Sequence, residues 1–268
     1  MSVPTFYHSG EIGDILYALK VIQAIGNGDL YCSPTLEVSV DPNTERIGFP
    51  NKQFTPQMFN FVKELVELQP YINKFEYAVP EKIDYNLNNF RKLIFYTFDV
   101  SFEEMYYRVC NIPSDPNDGY DPWLTCKART IAPITVIRTN GANRTIPDYP
   151  WKTITNKYAD QMVFVGTKPE YEQFTEKSGG KLIQWFDSTN LLSICEVING
   201  AKLHMGNSTS LTVCAEGLKK NVIFEEAEKR KDNSFALYHE FGRSNRFNVF
   251  ADELDVFTIM EKIEQFVS

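Results

Sequence analysis

Histidine is scarce in this chain. Only His8, His204 and His239 occur among 268 residues, with no His-x-His or His-Glu-x-x-His spacing. Five cysteines (Cys32, Cys110, Cys126, Cys195 and Cys214) are dispersed without a Cys-x-x-Cys pair. An odd, scattered count speaks against a disulfide framework and against a zinc site, so no metal centre is expected. Basic residues are also outnumbered: 27 Lys and Arg face 35 Asp and Glu, a net charge of −8, and no basic block exceeds Lys229-Arg230-Lys231. A protein that neutralises many phosphates of a duplex carries a basic face, so duplex nucleic acid is not the expected partner. No apolar run approaches the roughly 20 residues of a membrane span. Residues 1–27 lack a charged start and a cleavage site, so a soluble, cytoplasmic protein is expected.

What the chain does have is core material. Hydrophobic residues make up 43% and charged residues 23%, which excludes a disordered chain. The 20 Phe, 14 Tyr and 3 Trp are read as core before any stacking surface. The length allows one large domain or two small ones.

The apolar pattern alternates between short strands and amphipathic helices. A strand at Thr5-Phe6-Tyr7-His8 leads through Ser9-Gly10-Glu11-Ile12-Gly13-Asp14 into a helix with Ile15, Leu16, Leu19, Ile22 and Ile25 on one face. Residues 29–57 are turn-rich and receive no assignment; 58–68 reads as a helix, 75–79 as a strand and 103–109 as a helix. Residues 112–122 carry three prolines among Asp, Asn and Gly, and read as a linker or exposed crossing. The rhythm then restarts, with strands at 134–137, 161–165, 181–185, 201–205 and 221–224 and helices at 191–198, 210–218 and 254–266. The expected fold is α/β, two Rossmann-like domains facing a cleft, the first over 1–125 and the second over 126–268. The last helix is expected to pack back toward the N-terminal half.

Ligands of open α/β sheets bind beyond the C-terminal strand ends, which directs attention to four loops. The first is 206–211, Gly206-Asn207-Ser208-Thr209-Ser210-Leu211, where a strand-type segment gives way to a helix. Small residues, hydroxyls and main-chain N–H groups there suit an anion, although Ser and Thr are favoured at helix starts for capping alone. The second follows the 134–137 strand: Arg138, Asn140, Asn143, Arg144 and Lys152, with Gly141 permitting close approach and Trp151 a candidate floor. Arginine forks match a diphosphate, and a solvated basic loop has the same composition. The third, Gly10-Glu11-Ile12-Gly13-Asp14, is acidic and would repel phosphate. It suits a hydroxyl or a general base, and charge complementarity at a helix start explains Asp14 equally. His8 lies beside it, and His204 falls within a strand pattern and is read as structural. The fourth is 166–170, with Gly166 and Glu170.

At these residues the chain resembles the heptosyltransferase-like glycosyltransferases, glycosyltransferase family nine, of GT-B fold. Gly13-Asp14-Ile15-Leu16 with Leu19 resembles that family's Gly-Asp-hydrophobic-Leu start. Residues 138–151, with Gly141-Ala142, Arg144 and Pro150-Trp151, are similar to its strand, Gly-Ala turn and basic segment. Val165-Gly166-Thr167-Lys168-Pro169-Glu170 resembles its hydrophobic-Gly-x-x-x-Glu stretch. The run from Leu191 to Thr209 resembles the approach to its Asp-Ser/Thr-Gly-x-x-His motif. Asn207 stands where that family has Asp, Thr209 where it has Gly and Thr212 where it has His; the chain is also shorter than a typical member.

The resemblance implies transfer of a sugar from a nucleotide-sugar donor to a hydroxyl-bearing acceptor such as a glycan, without cofactor. Asp14 would be the base, and His8, Gly10, Glu11 and Gly13 would lie on the acceptor side. Donor binding would fall to Asn140, Gly141, Asn143, Arg144, Lys152, Gly166, Glu170, Gly206, Asn207, Ser208, Thr209 and Ser210 in the C-terminal domain. No Asp-x-Asp motif is present, so no divalent metal is required. Three other functions share these features: a nucleotide-sugar-binding protein without turnover, a GT-B-type nucleotide-sugar epimerase or hydrolase, and a nucleic-acid base glycosyltransferase.

Overall fold

The computed structural model describes residues 3–34, 54–90, 102–113, 121–140, 144–226, 246–251 and 254–268. Gly141, Ala142 and Asn143, His239 and most of the proline-rich 112–122 stretch lie outside the described residues. The described residues divide into two compact units, one built from those up to 113 and the other from those beginning at 121.

The first unit holds β1 (Thr5–His8), α1 (Ile12–Ile25), β2 (Gly28–Cys32), α2 (Pro56–Glu67), β3 (Ile72–Tyr77), β4 (Tyr85–Asn86) and α3 (Phe102–Val109). All pairings in its sheet are parallel, and the order is β3-β2-β1-β4. The first helix forms because Glu11 and Asp14 close a reciprocal box over its start and an unbroken run from Ile15 to Ile22 is buried behind it. Its partner α3 packs on it, with Tyr17 and Phe102 stacked at 5.2 Å. β2 falls in the turn-rich stretch: every second residue (Gly28, Leu30, Cys32) is buried, a period the flanking Gly and Asp obscure.

The second unit holds β5 (Ile134–Ile137), α4 (Trp151–Tyr158), β6 (Met162–Phe164), α5 (Lys168–Ser178), β7 (Gln184–Trp185) and α6 (Leu191–Gly200). It continues with β8 (Leu203–Gly206), α7 (Ser210–Gly217), β9 (Asn221–Glu226), β10 (Arg246–Phe250) and α8 (Val256–Val267). Its sheet runs β7-β6-β5-β8-β9-β10, again wholly parallel. Every residue of β5, β6 and β8 is buried, as expected of strands covered by helices on both faces. Counted within the unit, the order is 3-2-1-4-5-6, the doubly wound arrangement, with its reversal of direction between β5 and β8. The first sheet repeats the start of that order and reverses between β1 and β4. Two separate parallel sheets therefore replace any single continuous one. α8 packs on β8 and β9 of its own sheet. Lys202 Nζ donates to the carbonyls of Val267 (2.6 Å) and Ser268 (2.9 Å) at its end.

Candidate active site

In the second unit, β5 and β8 end in register, Ile137 paired with Gly206, so the residues that follow leave the sheet side by side at the reversal point. The approach is close. A Cβ on Gly206 would stand 2.6 Å from Ile137 Cγ2 and 2.9 Å from the Ile137 carbonyl oxygen, so only glycine fits. Beyond it, Asn207 is fully buried and spans both chain segments. Its Oδ1 accepts from Thr139 N (3.1 Å), and its Nδ2 donates to the carbonyls of Thr139 and Arg144 (2.8 Å each). Both side-chain atoms are thus committed to main chain.

Thr209 caps α7, its Oγ1 accepting from Thr212 N (3.3 Å). Thr212 Oγ1 in turn donates to the Asn207 carbonyl (2.7 Å). Below it, His204 Nε2 lies 3.4 Å from Thr212 Oγ1 and His204 Nδ1 lies 3.0 Å from Thr135 Oγ1. Because Thr212 spends its proton on Asn207, it accepts from Nε2, which leaves Nδ1 to accept from Thr135. Complete burial holds this neutral imidazole's pKa down at about 3. His204 is therefore structural, as its strand pattern suggested. Ser208 and Ser210 are half-buried at the same helix start, where the first N–H groups of α7 have no partner one turn earlier.

Arg144 reaches this point from the β5 side, its Nη1 donating to the Ser208 carbonyl (3.2 Å). Arg138 does not present a fork to a ligand. It is buried, and its Nε and Nη2 bond Glu225 at 2.9 Å each. Trp151 belongs to the core, edge-on to Phe174, with Nε1 donating to Glu225 Oε2 (3.3 Å). Lys152 is the second residue of α4 and exposed.

Gly166 and Glu170 follow β6. A Cβ on Gly166 would meet Ile137 Cδ1 at 2.5 Å. Thr167 N and Oγ1 donate to Glu170 Oε2 (2.9 and 2.7 Å), closing the cap of α5, while Thr139 Oγ1 donates to Oε1 (2.8 Å). Glu170 thereby joins the β6 loop to the β5 end. Asn140 bonds Gln173 and accepts from Lys177 Nζ (3.1 Å). The structure thus brings Asn207, Ser208, Thr209 and Arg144 together at the α7 start, and ties Glu170 to them through Thr139. Sequence reasoning missed Thr139 and Glu225; a buried acid at a strand end was the available signal for the second.

In the first unit, His8 is fully buried at the end of β1. Gly10 N donates to His8 Nδ1 (2.8 Å), so Nε2 carries the proton and donates to Tyr106 Oη (2.8 Å). Tyr106 Oη donates in turn to the Asp14 carbonyl (2.9 Å). This relay fixes the glycine turn and the first turn of α1 against α3. Asp14, Glu11 and Gly13 are half-buried, and Asp14 Oδ2 accepts from Glu11 N (3.3 Å). Ser9 N and Oγ both donate to Asn88 Oδ1 (2.9 and 3.0 Å), which joins β1 to the segment after β4 at this sheet's own reversal point. Among the described residues, no group of three or more His, Cys, Asp or Glu is arranged to hold a metal ion, and no helix is long and apolar enough to cross a membrane.

No protein-family model matches the chain, and no curated protein is similar to it in sequence. Solved structures are similar in fold. A glycosyltransferase of family 9 from Veillonella parvula superimposes with a TM-score of 0.60 at 9% identity, over 100% of this chain and 92% of that one. E. coli heptosyltransferase WaaC, solved with ADP, gives 0.57 at 10% identity over 98% and 97%. E. coli ADP-heptose lps heptosyltransferase II gives 0.53 at 11% over 99% and 98%. Along almost its whole length, this chain has the GT-B-like fold of heptosyltransferases and family 9 glycosyltransferases.

Proposed function

We propose that this protein is a glycosyltransferase of the hexosyl- or heptosyltransferase type, moving a sugar from a nucleotide-sugar donor to an acceptor hydroxyl. The observation that carries the reading is the α7 start. Gly206 allows close approach, Asn207 holds the turn, and Arg144 converges on the N-terminal end of the helix at the reversal point of the sheet. A helix N-terminus beside an arginine is suited to a diphosphate. The likeness to a heptosyltransferase solved with ADP supports an ADP-sugar as the first donor to try.

In this reading the hydroxyls of Ser208, Thr209 and Ser210 and the N–H groups of α7 hold the phosphates, together with Gly141 and Asn143. Glu170 and Gly166 border the nucleoside, and Lys152 is a weaker cation. Asp14 in the first unit accepts the acceptor's proton, with His8, Gly10, Glu11 and Gly13 shaping that side. The acceptor oxygen then bonds the anomeric carbon as the bond from that carbon to the diphosphate oxygen breaks. Arg144 and the α7 dipole stabilise the negative charge left on the diphosphate, so the reaction is proposed to run without metal or cofactor.

A second reading, nucleotide-sugar binding without turnover, is favoured by one observation: the Asp14 carboxylate already accepts from Glu11 N as a helix cap. Calorimetric titration with ADP, GDP, UDP and CMP tests binding, and incubation with the matching nucleotide sugars, monitored for slow donor hydrolysis, tests turnover. Binding with hydrolysis is expected. Binding without it selects the second reading, and no binding rejects both.

A further inference from the structure

We propose that Glu225 is a positioning residue for nucleotide binding, acting with Arg138 to hold the 144–146 segment so that Arg144 meets the α7 start. This rests on the reading of that helix start as the diphosphate site.

Glu225 lies near the C-terminal end of β9 and its side chain is wholly buried. Every donor around it comes from the other side of the site. Oε1 accepts from Arg138 Nη2 (2.9 Å) and from Ile146 N (2.7 Å); Oε2 accepts from Arg138 Nε (2.9 Å) and Trp151 Nε1 (3.3 Å). Arg138 Nη2 also donates to the Ile146 carbonyl (3.2 Å). The ion pair therefore grips residue 146 by both its N–H and its C=O. Two residues earlier, the Arg144 carbonyl is held by Asn207 and its guanidinium bonds Ser208.

Residues 144–146 belong to no helix or strand, so no ladder fixes them. Side chains must satisfy and orient that backbone instead. A buried ion pair is a poor stabiliser compared with apolar residues of similar volume, because both charges are stripped of water. Its geometric consequence is the better account: an arginine whose carbonyl is held, and whose chain is gripped again two residues later, loses less freedom when it binds an anion.

The test is a double-mutant cycle with the nucleoside diphosphate (ADP, GDP or UDP) that the wild-type protein binds, read by calorimetry. Arg144→Ala is expected to weaken binding at least about tenfold. Glu225→Gln keeps shape and an acceptor for Ile146 N but removes the charge that holds Arg138. It should weaken binding by about the same factor in the wild-type background and by less than about twofold in the Arg144→Ala background. Equal losses in both backgrounds would mean that Glu225 acts on the fold at large, and would overturn the proposal. Unchanged affinity in Arg144→Ala overturns the reading of the site itself, and the proposal with it.

Hydrogen exchange supplies a readout without ligand. The amides of Thr145 and Ile146 should exchange faster in Glu225→Gln while those of β5 and β8 stay protected; unchanged exchange overturns the proposal. If Glu225→Gln does not fold, the Arg138→Met/Glu225→Leu double variant removes both charges together and is measured in its place. If that variant also fails to fold, the pair serves folding and the proposal falls.

Discussion

Asn207 and Thr139 bond one another in both directions: the Thr139 N–H reaches Asn207 Oδ1 at 3.1 Å, and Asn207 Nδ2 returns to the Thr139 carbonyl at 2.8 Å. The two residues follow neighbouring strands and carry the chain out of the sheet on opposite sides of its reversal point. Asn207→Asp removes the donor that satisfies the Thr139 and Arg144 carbonyls and sets a carboxylate against them. A loss of about 2 kcal/mol in urea unfolding is expected. Wild-type stability in that variant would show the bridge to be dispensable.

Gly206 tests the closeness of β5 and β8 directly. In Gly206→Ala the new methyl meets the Ile137 side chain and its carbonyl, and backbone cannot swing away as a flexible side chain would. Overpacking of this kind costs about 1–3 kcal/mol. Because the strain falls where α7 begins, nucleotide affinity should drop along with the melting temperature. A stability loss with unaltered affinity would separate the strand contact from the site.

Asp14→Asn separates base from helix cap. Asn Oδ1 can still accept from Glu11 N, so the first turn of α1 is preserved while basicity is lost. Transfer should fall by about 10²–10⁴, the range of a positioned base, with donor binding nearly intact. Transfer at the wild-type rate would leave Asp14 as a helix-start charge alone.

His204 makes stability depend on pH. Its pKa is lowered to about 3 in the folded protein, whereas an unfolded histidine titrates near 6.5. The unfolded chain therefore binds more protons than the folded one between those values. Stability attributable to this residue is complete above the unfolded pKa and is lost as pH falls below it, with a slope of up to about 1.4 kcal/mol per pH unit. His204→Gln can keep bonds to Thr135 and Thr212 without titrating. Its unfolding free energy, measured from pH 7 down to about pH 4, should show a shallower decline than wild type. Parallel curves would remove His204 as the source.

β5, β6 and β8 were legible because a strand buried on both faces reads as a nearly continuous apolar run, interrupted here by Thr135 in β5 and His204 in β8. The helix starts at Glu11 and Thr209 were likewise visible or nearly so, since capping is a local bond between residues three apart, whereas α5, which opens on the same kind of bond at Thr167, received no assignment. The resemblance in four ordered segments is borne out as a likeness of fold to family 9 and heptosyltransferase structures. Short elements were missed where local composition argues the other way. α4 opens behind Pro150 and carries two threonines, and β4 has only two residues.

Sequence alone determined the alternation of strand and helix, because periodicity and capping act within a few residues. Which side chains face a ligand was decided only in three dimensions. Arg138 and Arg144 stand six residues apart with the same chemistry, yet one is spent on Glu225, 87 residues away, and the other meets Ser208, 64 residues away. Buried charge must find a partner wherever the sheet order brings one, and that order reverses between β5 and β8 for reasons no local window contains.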